Sequence, residues 1–477
     1  MPLILPGNVA SATASTAYTV ANSLRCDNAS QTYMHRTPGS TGNRRTWTFS
    51  TWFKRSAIGA TAPLMFGYFN TSSNLINIGF TSTFQLYYRD KKSGTTEIEF
   101  KSSAKYRDPS AWMHLVVAVD TTQSTEGNRV KIYINGVQVT AFATETYPDE
   151  DYDTLMNVSG YKYEVADVNT DDYWDGYLAE TVLIDGSQLA PTSFGEFNSD
   201  SPTIWQPIDV SGLKFGTNGF YLDYEASDNL GNAADGGTDF TEVNFAATEQ
   251  CTDTPTNNFC TLNYIHGSIR SSGGLAEGNT TYNKTSTGSG HKCTTLATMA
   301  PANGKWYYEC KIGDNNDVRV GFIDTEHGAF DSNNSLWDDS GTPSWAWQDN
   351  GSRLITDATT TSHFSTYTTN DIISFAIDLD NRKVYAAKNG TWENSGDPTS
   401  GATGTGSFAD LPTTTIFFSP AIGTQDKDSS SVHYLNFGNP SYANSSDAAD
   451  GNGYGAFEYA PPSGYFALCT KNLAEHG

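Results

Sequence analysis

From Thr46 to Arg55 the side chains alternate with a period of two: Trp47, Phe49, Thr51 and Phe53 share one face, and Thr48, Ser50, Trp52 and Lys54 the other. An extended chain sends successive side chains to opposite faces, so this period specifies a strand with one strongly apolar side and excludes a helix. Strand-like runs return in NLINIGF, FQLYYRD, MHLVVAVD, RVKIYINGVQV and DGYLAETVLID, the last closing at Asp185. Clusters of Gly, Asn, Asp and Ser separate these runs, and no long amphipathic helical stretch interrupts them. An antiparallel β-sandwich is the expected result.

A second strand-rich region opens near Thr261 and contains GKWYYECKI, DVRVGFID, SWAWQDN, DIISFAIDLD, RKVYAAKNGTW, TIFFSPAIG and VHYLNFG. One device occurs in both regions. An apolar strand ends in Asp120 or Asp378, and the strand after it turns back through Asn135-Gly136 or Asn389-Gly390. Asn-Gly tolerates the positive φ angles of a tight hairpin turn. The recurrence predicts an all-β chain of two antiparallel sandwiches in tandem. Residues 1–20 are expected to form an arm that docks onto a partner, 21–205 the first sandwich, 206–261 a joint with an Asp- and Gly-rich loop, and 262–477 the second sandwich with a C-terminal extension. A length of 477 residues exceeds one ordinary core. Apolar residues are only 37%, but 25 Phe, 26 Tyr and 10 Trp can fill two ring-rich interiors.

Charge removes one class of function. Twenty-eight Lys and Arg against 53 Asp and Glu leave a net charge of -25, which repels a phosphate backbone, so no nucleic-acid partner is expected. No run of about 18 apolar residues is present to insert into a membrane, and MPLILPGNVASA lacks the basic flank of an export signal. The six cysteines form no CxxC pair and are expected as free thiols; Cys251 and Cys260, flanking TDTPTNNF, are the pair an oxidising environment would join.

No GxSxG elbow or HExxH helix occurs, and the acidic run from Glu145 to Asp153 reads as a solvated loop. The chain is therefore expected not to be an enzyme. Two constellations remain. Asp223, Asp228, Asn229, Asp235 and Asp239 fall within seventeen residues and offer the oxygen ligands that Ca²⁺ requires. A turn in which Asp and Asn bond the local backbone also accounts for them, and is the reading placed ahead of Ca²⁺. DVNTDDYWDG also spaces acids at alternate positions, but its twelfth position is Leu178, which rules out an EF-hand loop. Aromatic loops form the second constellation: Trp337, Asp338 and Asp339, with Trp392 beside Asn389, and Tyr161, Tyr163, Tyr173 and Trp174 ahead of DGYLAE. Rings with adjacent carboxylates and amides suit a sugar, and Tyr-rich loops suit a protein surface.

TWTFSTWFKRS, AWMHLVVAVD, VKIYINGVQV and WDGYLAETVLIDG, in that order, resemble a laminin-G-like, concanavalin A-like domain over residues 21 to 200. GKWYYECKI, VRVGFID, IISFAIDLDNRKVYAAKNGTW and VHYLNFG resemble a SPRY domain over residues 262 to 440. The resemblance implies two tandem antiparallel concanavalin A-like β-sandwiches of the jelly-roll type. Hydrolases of that superfamily carry an ExDxxE strand, which does not occur in this chain. The Asp-rich loop resembles one that binds Ca²⁺ in bacterial laminin-G-like domains. The pairing of the two domains, with FYLDY and TDTPTNNF between them and PPSGYFALCTKNL after them, resembles virion proteins of marine tailed bacteriophages. That resemblance implies a non-enzymatic tail-fibre or surface-displayed component of a virion assembled in the bacterial cytoplasm. Its partners would be other virion proteins, further copies of itself, as a trimer in a fibre, and a host glycan or surface protein. A tailspike-type glycan depolymerase and a secreted bacterial lectin or adhesin are the alternatives.

Overall fold

The computed structural model describes residues 4–5, 18–56, 58, 62–168, 172–267, 273–285, 293–314, 317–325, 343–356, 358–414, 417–424 and 430–477. Two compact units divide them. One is Thr13–Thr256; the other is Asn257–Gly477 together with the chain start, of which Ile4 and Leu5 are described.

The first unit stacks two antiparallel sheets. In one, Val137–Gln138, Val130–Ile134, Met113–Asp120, Thr46–Arg55, Gly176–Asp185, Ser23–Cys26 and Gln250–Cys251 lie side by side, and Phe220–Leu222 also pairs with Gly176–Asp185. The other runs Phe142–Thr146, Thr95–Lys105, Gln85–Lys92, Asn74–Phe80, Leu64–Thr71, Tyr163–Val165, Tyr33–Arg36 and Thr241–Val243. Rings meet between the inner faces: Phe49 stacks on Phe66 at 4.6 Å, and Trp47 meets Tyr88 edge-on at 5.9 Å. Each ring removed from water stabilises the sandwich by about 1.5–3 kcal/mol.

The structure corrects the expected joint. Phe220–Leu222, Thr241–Val243 and Gln250–Cys251 are edge strands of the two sheets, so residues 206–256 belong to the first unit. At two or three residues each, they are too short to display a period. The segment before them supplies a third layer. Phe194, Val210 and Phe215 cover Val116, Ala118, Val182, Ile184 and Tyr221, while Trp205 packs with Trp52 and Ala179. Thr46–Arg55 is consequently buried on both faces, where its alternation predicted one. Lys54 is 1% exposed, and its ammonium pairs with Asp253 at 2.7 Å; the Trp112 indole donates to the same carboxylate at 2.9 Å. In this layer Glu180 occupies a bulge of its strand at φ 50°, and the Tyr221 and Tyr18 hydroxyls donate to it at 2.9 and 3.2 Å. Burial pushes the Glu180 carboxyl up to about 8.

The second unit has the same plan. One sheet orders Leu262–Gly267, Cys293–Ala297, Phe418–Thr424, Val318–Asp324, Ser344–Gln348, Arg353–Ile355 and Ala358–Thr360. The other orders Gly273–Ala276, Thr281–Lys284, Ser431–Asn436, Lys305–Ile312, Ile372–Asp378, Lys383–Lys388 and Thr391–Trp392. Trp345 and Trp347 both lie in the core between them. Phe259, Phe457, Tyr465 and Cys469 cover the outer side of the second sheet over Tyr307 and Tyr385. Glu309 anchors this cover: its carboxylate accepts the backbone N–H groups of Glu458 and Tyr459 at 3.0 and 2.8 Å, the Tyr307 hydroxyl and the Asn436 amide. Burial outweighs these four donors and pushes its pKa up to about 7. The two ends of the unit zip together, with Cys260 N–H donating to Leu468 O at 2.8 Å and Thr470 N–H to Asn258 O at 2.9 Å.

The expected arm is also corrected where it is described. Ile4 is buried in the second unit's core, and its N–H donates to Thr298 O at 2.8 Å. Val20 is buried in the first unit's outer layer. All six cysteines are buried free thiols, so the Cys251 to Cys260 bridge is not formed. No helix among the described residues is long and apolar enough to cross a membrane.

Both Asn-Gly turns take the predicted conformation, with φ 48° and 77° at Asn135-Gly136 and 48° and 76° at Asn389-Gly390. Each asparagine bonds the first strand of its device twice. Asn135 Oδ1 accepts His114 N–H at 2.7 Å while Asn135 N–H donates to His114 O at 2.9 Å; Asn389 and Ile372 repeat this at 2.8 and 2.9 Å. An aromatic ring lies against each glycine, so a Cβ would come 2.5 Å from Trp205 at Gly136 and 2.6 Å from Tyr459 at Gly390.

Candidate ligand-binding pocket

The outer face of the first unit's second sheet carries a cavity. Alternation along three neighbouring strands sends Ile76, Ile78, Phe66 and Tyr88 into the core and turns Phe69, Leu75, Asn77, Arg89 and Lys91 outward. Register then sets the outward residues side by side: Phe69 opposite Leu75, Leu75 opposite Lys91, and Asn77 opposite Arg89. Val168, from the segment after Tyr163–Val165, lies over Gly67, where a Cβ would sit 2.8 Å from its methyl group. The cavity so formed is about 290 Å³, with an apolar floor of Phe69, Leu75 and Val168. Its polar lining consists of Ser72, Asn77, Arg89, Lys91 and Asp172. This volume lies just below the range usual for small-molecule sites.

The charges beside this lining are unequal. Lys101 pairs with Glu99 at 3.0 Å and lies 5.4 Å from the centre of the Tyr87 ring. Arg89 lies 5.5 Å from the same ring, which holds the guanidinium against the sheet. Burial, together with Glu99, keeps the Tyr87 phenol well above its ordinary range and therefore protonated. Lys91 makes no ion pair among the described residues. The lining therefore carries two cations against the one carboxylate of Asp172, on a chain whose net charge is -25. An apolar floor ringed by an amide, a hydroxyl, two cations and a carboxylate can orient a polar ring by hydrogen bonds while packing its C–H face.

The side chains expected from the sequence to bind a ligand lie elsewhere. Trp337, Asp338 and Asp339 fall outside the described residues. Trp392 is half-buried against the cluster around Tyr385 and Tyr465. Tyr163 and Trp174 are core residues, which corrects their reading as loop side chains. The Tyr163 hydroxyl donates to Asn157 Oδ1 at 2.7 Å, and Trp174 stands edge-on to Phe53 at 5.9 Å. Tyr163 belongs to an interior strand paired on both sides with Tyr33–Arg36 and Leu64–Thr71, and Trp174 packs into the same core just before Gly176–Asp185. Tyr173 is buried beside Tyr33, and the half-buried Tyr161 stacks on Tyr68 at 4.3 Å.

The Asp-rich loop is likewise a turn. Asp239 accepts Ala233 N–H at 3.0 Å and the Asn229 amide at 2.9 Å, and Asp223 accepts Glu225 N–H at 3.1 Å. Asp228 is exposed, and Asp235 does not join the others: among the described residues no three His, Cys, Asp or Glu side chains converge. A cation already holds the base of this loop. The buried Arg36 guanidinium donates to the carbonyls of Asn218, Gly219 and Thr238 at 2.6, 3.1 and 3.1 Å, and lies over the Phe220 and Phe240 rings.

Asn77, Arg89 and Lys91 were missed because they sit in strands, where an outward Asn, Arg or Lys is an ordinary solvated side chain. The available signal was Asn77 between Ile76 and Ile78 in NLINIGF, followed by Arg89 and Lys91 two residues apart on one face.

Residues 28–188 match the family model described as the concanavalin A-like lectin/glucanases superfamily, and residues 305–434 match that of the SPRY domain. Among solved structures, the SPRY domain of human HERC1 is 16% identical, with 36% of this chain and 96% of that one covered and a TM-score of 0.28. The native heptameric SAP-like pentraxin of Limulus polyphemus is 13% identical, with 36% and 80% covered and a TM-score of 0.27. A further human SPRY domain is 17% identical, with 33% and 90% covered and a TM-score of 0.24. No curated protein matches the chain. The chain is nearly all β, with a region that matches the concanavalin A-like family model followed by one that matches the SPRY model.

Proposed function

We propose that the chain is a non-enzymatic recognition protein that binds a glycan in the pocket of its first unit. Domains of the lectin-like and SPRY types suit a binding role. The observation that carries the glycan reading is the pocket's composition: Phe69, Leu75 and Val168 form a floor for a sugar's C–H face, and Asn77, Arg89 and Asp172 provide donors and acceptors in its polar lining. The setting we propose is a tailed-phage virion, with the protein as a surface or tail-fibre component, trimeric, seated on other virion proteins and facing the host surface. The segments FYLDY, TDTPTNNF and PPSGYFALCTKNL support that setting by their resemblance to phage virion proteins.

A glycan array tests the binding claim. The intact protein is expected to mark a restricted set of saccharides, Asn77→Ala to lose about tenfold in affinity, and product analysis to find no released oligosaccharide. An empty array, or a signal unchanged by Asn77→Ala, removes the pocket from the account. For the setting, an antibody against the protein should label intact particles, and sedimentation should give the mass of three chains.

A further inference from the structure

We infer that the pocket selects an acidic sugar, one whose carboxylate is read by Arg89 and Lys91 while its ring rests on Phe69 and Leu75. This rests on the glycan reading above and adds the ligand's chemical class. Three features of the site carry it. Strand register places apolar and cationic residues directly opposite one another, Leu75 against Lys91, so a ring lying on the floor brings its edge substituents to the ammonium. Arg89 comes from the same strand, two residues away and on the same face, and its guanidinium presents a planar fork matched to the two oxygens of a carboxylate. The third is the charge balance. The neighbouring Lys101 is neutralised by Glu99, whereas Lys91 is half-exposed in the lining without an ion pair among the described residues. A ligand carboxylate seated on the floor would meet that ammonium with no competing carboxylate of the described residues already paired to it.

The test is an array printed in matched pairs, each carboxylated sugar beside its carboxyl-reduced form, with sulfated saccharides as a separate set. The intact protein should bind carboxylated members about tenfold more tightly than their reduced partners, the scale of one charge-assisted hydrogen bond. Lys91→Gln should abolish most of that preference; the side chain is half-exposed, so the fold should persist, checked by circular dichroism. Arg89→Lys, which keeps the charge but loses the fork, should weaken carboxylate binding several-fold. Equal binding within the pairs, or a preference untouched by Lys91→Gln, overturns the acidic-sugar inference while leaving glycan binding intact. Signal from sulfated saccharides alone overturns the carboxylate assignment. An array empty in every set overturns the glycan reading itself.

Discussion

The two sandwiches share a hairpin and differ in what covers it. In each, an Asn-Gly turn at φ values of 48° and near 77° is stitched to the preceding strand by the asparagine amide and backbone, and a ring from a distant segment rests on the glycine. The ring is Trp205 in the first unit, from a layer built of residues 194–215, and Tyr459 in the second, from a C-terminal layer held by Glu309. The dipeptide makes this hairpin only where it joins two paired strands: of six Asn-Gly pairs in the chain, Asn135-Gly136 and Asn389-Gly390 alone have both residues at positive φ. The covering layer is long-range and is assembled differently each time. It decides which sheet face stays open, and in the first unit the open face is the one with the pocket.

Breaking the covers gives the largest effect. Asp253→Ala strands the buried Lys54 ammonium and is expected to destabilise the first unit by about 3–5 kcal/mol. Amide hydrogen exchange read separately over 18–256 and 257–477 should show the loss in the first set alone. Next come the hairpins. Gly136→Ala and Gly390→Ala each force a side chain into the left-handed region and against a ring, at about 1–3 kcal/mol each. Equal costs by chemical denaturation support one shared device, and a difference above about 1 kcal/mol separates the two.

Titration is expected to be gentler. Glu180, with its pKa raised from 4.5 to about 8, holds a proton in the folded state that the unfolded chain releases, so its contribution to stability falls as pH rises from 4.5 to about 8. Glu309 behaves likewise, ending near pH 7. Burial lowers His114 and His433 to about 3, so they remove stability from each unit as pH falls below 6.5. Glu180→Gln should therefore raise the melting temperature at pH 8 by about 2–4 °C and leave it unchanged at pH 4. The smallest effect is that of calcium: with Arg36 at the base of the Asp-rich loop, EDTA or added Ca²⁺ should move the melting temperature by less than about 1 °C.

The fold was legible where its causes were local. Alternation along Thr46–Arg55 and the Asn-Gly dipeptides act within a few residues, and both predict what forms. The third layer was not legible, because Phe194, Val210 and Phe215 belong to no regular run and acquire a role only once a sheet lies beneath them. The pocket fails for a related reason. Leu75 and Lys91 are sixteen positions apart and become neighbours only through strand register, whereas the conspicuous rings of Tyr163 and Trp174 were needed to close the core.

The pinned ends of the second unit have a consequence for how such a chain can be rearranged. Asn258 and Thr470 bond each other directly, which ties the entry of the main segment to the C-terminal helix, while Ile4 from the chain start fills the same core. A segment cut out at Asn257 would leave Ile4 behind, losing a buried side chain and the bond from its N–H to Thr298 O, so the two pieces of chain have to travel together.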